Sequence, residues 1–276
     1  MNVEIELMDI KKMSKNELDN ALVVMHNQLA RKQTKWNARE TKLFYSALSQ
    51  IKWRDENNWV CLKKADIVEK LEIDRRDTNK LRTMFQEVMK KSFVQFDGQT
   101  EEEWHDGFLI TESKTTRNEV FVRFNDTFLP LLDQLTNHFT MFELDNVAHF
   151  KSKYAIILFQ YLKSWYNPKG IINHKRITLA EMKRMFELKD NEYVRKNGRN
   201  KGVFDTANFK KKTLDKAVSE INKDVVKSGM HIANVETIKH RGMVAGYDIA
   251  FSLVNHDGTP YCADDSAPGQ MSIDDF

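Results

Sequence analysis

The sequence predicts an α+β chain, mostly helical, built from two copies of one unit in which three helices precede a β-hairpin. Apolar stripes at helical spacing recur in the same order in both halves, and strand-like runs follow the third stripe each time. Only 4 Pro and 10 Gly occur in 276 residues, so regular structure outweighs flexible linker. Helix, helix, helix, hairpin is the winged-helix order, in which the second and third helices form a helix-turn-helix and the hairpin is the wing.

The first stripe is Leu43, Phe44, Ala47, Leu48 and Ile51, repeated 114 residues later as Ile157, Leu158, Tyr161, Leu162 and Trp165. A short second helix runs from Ala65 through Leu71 and Ile73, and again from Ala180 through Phe186 and Leu188. The third carries Leu81, Met84, Phe85 and Val88, then Leu214, Ala217, Val218 and Ile221, after a longer basic loop from Lys189 to Val203. The hairpins are read as Phe93 to Phe96 with Val120 to Phe124, and His231 to Ile238 with Tyr247 to Phe251. A strand-like run, Ala21 to Met25, stands before the first unit without a second copy. These signals divide the chain into an N-terminal extension (1–20), a first winged helix (21–128), a helical connection (129–150), a second winged helix (151–255) and a disordered acidic tail (256–276).

With 41% hydrophobic and 30% charged residues, the composition is that of a globular protein in the cytoplasm, with no membrane partner. No run approaches the ~20 apolar residues of a membrane span, and the N-terminus is too acidic for a signal peptide. Cys61 and Cys262 stand alone, which predicts reduced thiols. The net charge of +3 hides an asymmetry, because residues 257–276 hold five Asp and neither Lys nor Arg, leaving +8 on the rest. A basic body suits a polyanionic partner.

Catalytic signatures are missing. The eight His never occur two apart, which argues against a nicking initiator with a His-x-His metal site. No Gly-Lys dipeptide exists to complete a phosphate-binding loop, and no Gly-x-Ser-x-Gly elbow occurs. A non-enzymatic protein without cofactor or metal is expected. The acidic run Glu101 to Glu103 reads as a solvated loop. Trp53, Trp59, Tyr154, Tyr161 and Trp165 fall on or beside core stripes, so they read as packing groups before base-stacking platforms.

The stretch from Phe204 to Lys223 carries the strongest functional signal. At the helical period Leu214, Ala217, Val218 and Ile221 fall on one side and Lys212, Lys216, Ser219 and Lys223 on the other, with Lys211 and Asp215 at the edge. Asp205, Thr206 and Asn208 are all N-cap types, so the helix start is expected to face a phosphate. From Arg195 to Lys216 eight Lys/Arg stand against two Asp, a net +6.

Three stretches, residues 21–51, 151–165 and 204–222, resemble the plasmid replication initiators of the tandem winged-helix (Rep_3) family. The likeness rests on Asn27-x-Leu29, on Asn37-x-x-Glu40 opening the first helix, and on Leu214-x-x-Ala217-x-x-Glu220-Ile221-Asn222. It implies that the second winged helix reads directly repeated origin sequences, the iterons, through Asn208, Lys211, Lys212, Asp215, Lys216 and Ser219. Asn208 is the best candidate for a base contact, followed by Arg199 in the preceding loop. The wing tip Lys239-His240-Arg241 would reach phosphate or minor groove. In the first unit Arg75, Arg76, Lys80, Lys90 and Lys91 would meet phosphates. The resemblance also implies that the N-terminal unit carries the homodimer interface, in equilibrium with a monomer, and that host helicase and replisome are partners.

The chain stops at Gln270-Met271-Ser272-Ile273-Asp274-Asp275-Phe276, which resembles the Gln-x-x-Leu/Ile peptides that dock in the bacterial sliding clamp, with Gln270, Ile273 and Phe276 as contacts. Asp274 departs from that pattern, which places an aromatic residue or Leu there. The function expected is origin binding, melting and recruitment of replication machinery, with repression of the protein's own gene; a winged-helix repressor without initiator activity is the alternative.

Overall fold

The computed structural model describes residues 18, 21–32, 35–74, 80–97, 104–133, 135, 138–198 and 201–261. Two compact units divide at His149/Phe150.

In the first unit β1 (Leu22–His26) leads into a one-turn helix α1 (Asn27–Ala30), and α2 (Ala38–Leu48) follows. Asn37 caps α2: its side chain accepts from the amides of Arg39 (2.9 Å) and Glu40 (3.0 Å), and its own amide donates to Glu40 Oε2 at 2.8 Å. This capping box satisfies amides that a helix start otherwise leaves open, and explains the Asn-x-x-Glu spacing. Leu43, Phe44, Ala47 and Leu48 are buried as the stripe predicts.

Next come β2 (Trp59–Lys63), α3 (Lys64–Lys70), α4 (Leu81–Lys90), β3 (Phe93–Asp97), β4 (Trp104–Phe108), β5 (Ile110–Thr115) and β6 (Glu119–Phe124). The expected hairpin between the Phe93 and Val120 runs is not formed. Instead β3 pairs with β4, with Phe93 opposite Phe108, and β6 lies between β2 and β5 in a separate three-stranded sheet. The polar strand β5 (ITESKT) buries only Ile110 outright, so it lacks the apolar alternation by which a strand is recognised. Glu101 to Glu103 lie outside the described residues.

The 129–150 segment, expected as a helical connection, is more varied. It contains the end of a 3₁₀ turn (Asp126–Leu131), then β7 (Phe139–Glu143), then a five-residue helix α5 (Leu144–Ala148). Strand β7 pairs antiparallel with β1, Val23 facing Phe142. The orphan strand at the start of the unit thus finds its partner at the unit's end. Asn27 and Leu29 sit beside that junction: Asn27 Oδ1 accepts from the Thr140 hydroxyl at 2.6 Å and Leu29 is buried.

The second unit repeats the plan with α6 (Lys153–Lys163), β8 (Asn173–Thr178), α7 (Leu179–Met185), α8 (Thr206–Phe209), a π-turn (Lys210–Leu214), α9 (Asp215–Asn222), α10 (Val225–Ser228), β9 (Met230–His240) and β10 (Met243–Leu253). Its sheet order is β8-β10-β9, matching β2-β6-β5. The repeat therefore includes a strand between first and second helices that the sequence pattern does not reveal. Hairpin β3–β4 is the insertion that sets the first copy apart. Gly246 in β10 has no room for a side chain, because a Cβ there would lie 2.3 Å from the Ile177 carbonyl oxygen of β8. No described helix is long and apolar enough to cross a membrane.

His26 caps α1 by accepting the Gln28 amide on Nδ1 at 3.2 Å, a bond available only while that nitrogen is unprotonated. Partial burial, then the neighbouring His138 and Arg31, hold its pKa below the usual 6.5. A base with a depressed folded pKa contributes stability that is present above the unfolded value and is lost as pH falls through the folded one. The urea midpoint should therefore drop as pH falls below ~6.5. His26→Asn, which keeps a cap acceptor but does not titrate, should flatten that drop; an unchanged pH profile would show that His26 is not its source.

Candidate nucleic-acid interface

Helix α7 and residues 206–222 form the helix-turn-helix of the second unit. Thr178 starts α7 with a second capping box, exchanging bonds with Glu181 at 2.8 and 3.2 Å. The longer helix is interrupted by its π-turn, and the interruption has a packing cause. Among its buried residues, Phe209, Thr213, Ala217 and Ile221 recur every fourth position, a spacing that drifts by ~40° per step in an α-helix of 3.6 residues per turn. A π-turn takes an extra residue and absorbs part of the drift, keeping all four on one side.

That side is fixed at several points. Phe209 is fully buried, its ring 5.6 Å from those of Tyr193 and Phe204, 6.0 Å from Phe186 and 6.3 Å from Tyr247. The Tyr193 hydroxyl and Thr213 Oγ1 are 2.6 Å apart. Burial, followed by the nearby Asp215, pushes the Tyr247 hydroxyl up to about 12, so it stays protonated and donates to the Thr206 carbonyl at 3.4 Å. At the far end Glu220 accepts from the amides of Lys151 and Ser152. It thereby ties the helix to the residues that lead into α6, whose own N-cap, Ser152, accepts the Tyr154 amide at 3.1 Å. Asn222 bonds both the carbonyl (2.8 Å) and the amide (2.9 Å) of Ile232 in β9. The Leu-x-x-Ala-x-x-Glu-Ile-Asn motif is thus a mounting: Leu214, Ala217 and Ile221 bury, Glu220 holds α6, and Asn222 holds the wing.

Held this way, the helix exposes Lys211, Lys212, Asp215, Lys216 and Ser219 together, while Asn208 is half-buried. Asp215 is paired with Lys210 at 2.5 Å, which cancels one charge pair and leaves Lys211, Lys212 and Lys216 as the cationic face. The helix start departs from expectation. Asp205 is the N-cap and its carboxylate accepts the Asn208 amide at 3.2 Å, so an anion already sits at the place expected for a phosphate. Phosphate contact falls to the lysine side chains.

The wing tip is a tight turn with Arg241 (φ 50°) and Gly242 (φ 78°) both left-handed, the conformation of a two-residue type I′ hairpin. Lys239, His240 and Arg241 are all exposed there. In the first unit Lys80 is exposed at the start of α4. Lys90 pairs with Glu87 at 2.9 Å and Lys91 with Glu40 at 2.7 Å, so both lysines carry their own counter-charges. Arg75, Arg76, Arg199, Gln270, Ile273 and Phe276 lie outside the described residues. The sequence pattern does not disclose the aromatic cluster around Phe209; Tyr193 and Phe204 flanking a Gly-containing loop are the available signal, as hairpin flanks. Of the aromatic residues read as packing groups, Trp59 and Tyr161 are buried. Among the described residues no group of His, Cys, Asp and Glu is arranged to hold a metal ion.

Two winged helices in one chain, the second presenting a lysine-lined helix and a basic wing tip, define a tandem winged-helix DNA-binding protein. Residues 22–163 match the family described as Initiator Replication protein, WH1, and residues 178–251 match Initiator Rep protein, WH2. The chain belongs to this replication initiator family. Its fold is similar to the crystal structure of Pi initiator protein in complex with iteron DNA, with a TM-score of 0.65 at 17% identity over 85% of this chain and 98% of that one. A structure of domains 2 and 3 of RctB aligns with a TM-score of 0.45 at 12% identity, over 77% and 80% of the two chains. No curated protein matches the sequence.

Removing the Phe209 ring should cost about 3–5 kcal/mol, the usual range for Phe→Ala in a core. Tyr193→Phe, which loses only the bond to Thr213, should cost about 1 kcal/mol. Chemical denaturation of both variants checks the pair; equal costs would mean that the ring cluster does not centre on Phe209.

Proposed function

We propose that this protein is a plasmid replication initiator that binds directly repeated origin sequences through its second winged helix. The carrying observation is the helix 206–222, whose exposed Lys211, Lys212 and Lys216 are held outward by a fully bonded mounting. Family membership supports the role in initiation, and the fold shared with Pi, whose structure contains iteron DNA, supports the repeated site as ligand. The mechanism is binding without covalent chemistry. Asn208, Ser219 and Asp215 are the side chains on this face with acceptors for base edges, whereas the lysines position the duplex through phosphates. Lys239, His240 and Arg241 extend the contact from the wing. Lys80, with Arg75 and Arg76, is the candidate for phosphate contact in the first unit.

Binding then promotes local opening of the origin and recruits the host helicase and replisome, in the cytoplasm. A homodimer joined through the first unit, in equilibrium with the initiating monomer, represses the protein's own gene. The C-terminal residues Gln270, Ile273 and Phe276 are proposed to engage the sliding clamp.

In a fluorescence anisotropy titration against a duplex of the repeats beside the gene, Lys212→Ala/Lys216→Ala should weaken binding. It should also reduce the slope of log K against log salt by ~0.9 for each phosphate that is no longer neutralised. An unchanged slope would remove this face from the interface. Initiation itself has a separate check: a DNA fragment carrying the gene and its flanks should replicate autonomously, and one that only silences its promoter would leave a repressor.

A further inference from the structure

The connection between the two helices of the second helix-turn-helix runs from Met185 to Thr206, far beyond the 3–4-residue turn usual in this motif. It folds into a small finger. Val194 and Phe204 bridge as antiparallel partners, the Asp205 amide donates to the Tyr193 carbonyl at 2.6 Å, and the Arg195 amide donates to the Val203 carbonyl at 3.0 Å. Gly202 returns a bond to the Arg195 carbonyl at 2.9 Å, and Gly198 and Gly202 turn the chain with left-handed φ of 81° and 85°.

The root is bolted to the DNA-facing helix. Tyr193 and Phe204 both pack on Phe209, the Tyr193 hydroxyl meets Thr213, and Lys183 of α7 lies over the Phe204 ring at 4.0 Å. Beyond the root, the chemistry changes from aromatic to cationic. Arg195, Lys196 and Lys201 are exposed, and no acidic residue occurs from Val194 to Phe204. Arg195 leans back toward Asp205 at 3.8 Å, whereas Lys196 and Lys201 form no ion pair among the described residues. Like charges on one short hairpin repel one another. The hairpin bonds that fold the finger are all backbone bonds, the Lys201 amide to the Gly198 carbonyl at 3.1 Å among them, and make no use of the lysine side chains. A polyanion lying along the finger would relieve the repulsion.

We infer that this finger is a second DNA-contacting appendage, in which Lys196 and Lys201 bind backbone phosphates of the same duplex that helix 206–222 reads. The inference rests on the DNA-binding reading above and adds an element to it. Because its root shares Phe209 and Thr213 with that helix, the finger moves with the reading face as one piece. Its partners on the duplex are phosphates, so it raises affinity for every sequence and leaves the preference for the repeats unchanged.

The test uses the full chain carrying Lys196→Ala/Lys201→Ala, titrated against a duplex of the repeats and a scrambled duplex across a salt series, with Lys212→Ala/Lys216→Ala in parallel. The finger variant should bind both duplexes roughly tenfold more weakly, lower the salt slope by about 1.8 for two phosphates left without a lysine, and keep the ratio between the duplexes. Wild-type affinity and slope, with the helix variant impaired, would overturn the finger alone. A finger variant with an altered ratio would overturn phosphate binding as its role. If neither variant changed binding, the DNA-binding reading itself would fall. Both lysines are exposed, so an unchanged thermal midpoint is expected and separates weakened DNA binding from a damaged fold.

Discussion

The burial of Phe209 is the constraint on which the second unit's presentation of charge depends. Around this one ring meet the C-terminal end of α7 through Phe186, the finger through Tyr193 and Phe204, and the wing through Tyr247. Each of these elements carries or adjoins exposed basic residues. Aromatic rings supply large buried area with few rotatable bonds, so one shared cluster fixes several surface elements at once. The residues that face outward are free to be polar because those facing inward settle the geometry.

The same division runs through the π-turn, where Thr213 and Leu214 are both buried while Lys211 and Lys212 are both exposed. Glu220 and Asn222 then fix the helix to α6 and β9 through its polar edge. The family motif at residues 214–222 is therefore scaffold, and the DNA-facing positions proposed here lie between its members, at Asp215, Lys216 and Ser219.

Much of this is legible in the sequence. The capping box at Asn37 and Glu40, the three stripes of each copy, the buried face of helix 206–222 and the second wing all follow from local spacing, because caps and helical periodicity depend on residues a few positions apart. The first wing escapes such reading because β5 is a polar strand whose partner, not its composition, makes it a strand. Strand β7 passes for part of a helical connection for the same reason: it pairs with β1 across more than a hundred residues, and no local pattern reports such a partner. The ion pair between Lys91 and Glu40 is likewise invisible locally, because the two are distant in sequence and adjacent in space.

By itself the sequence determined the kind of unit, its duplication, the caps that start the helices and the cationic stripe on residues 204–223. Those properties are set by nearest neighbours along the chain. Tertiary structure decided which strands pair, which cations have an acidic neighbour, that the Asp205 carboxylate caps the helix start, and that a basic loop is a finger rooted on Phe209. Each of these depends on a contact between residues brought together only by folding, and the electrostatics of a charged side chain follow from what lies beside it in space.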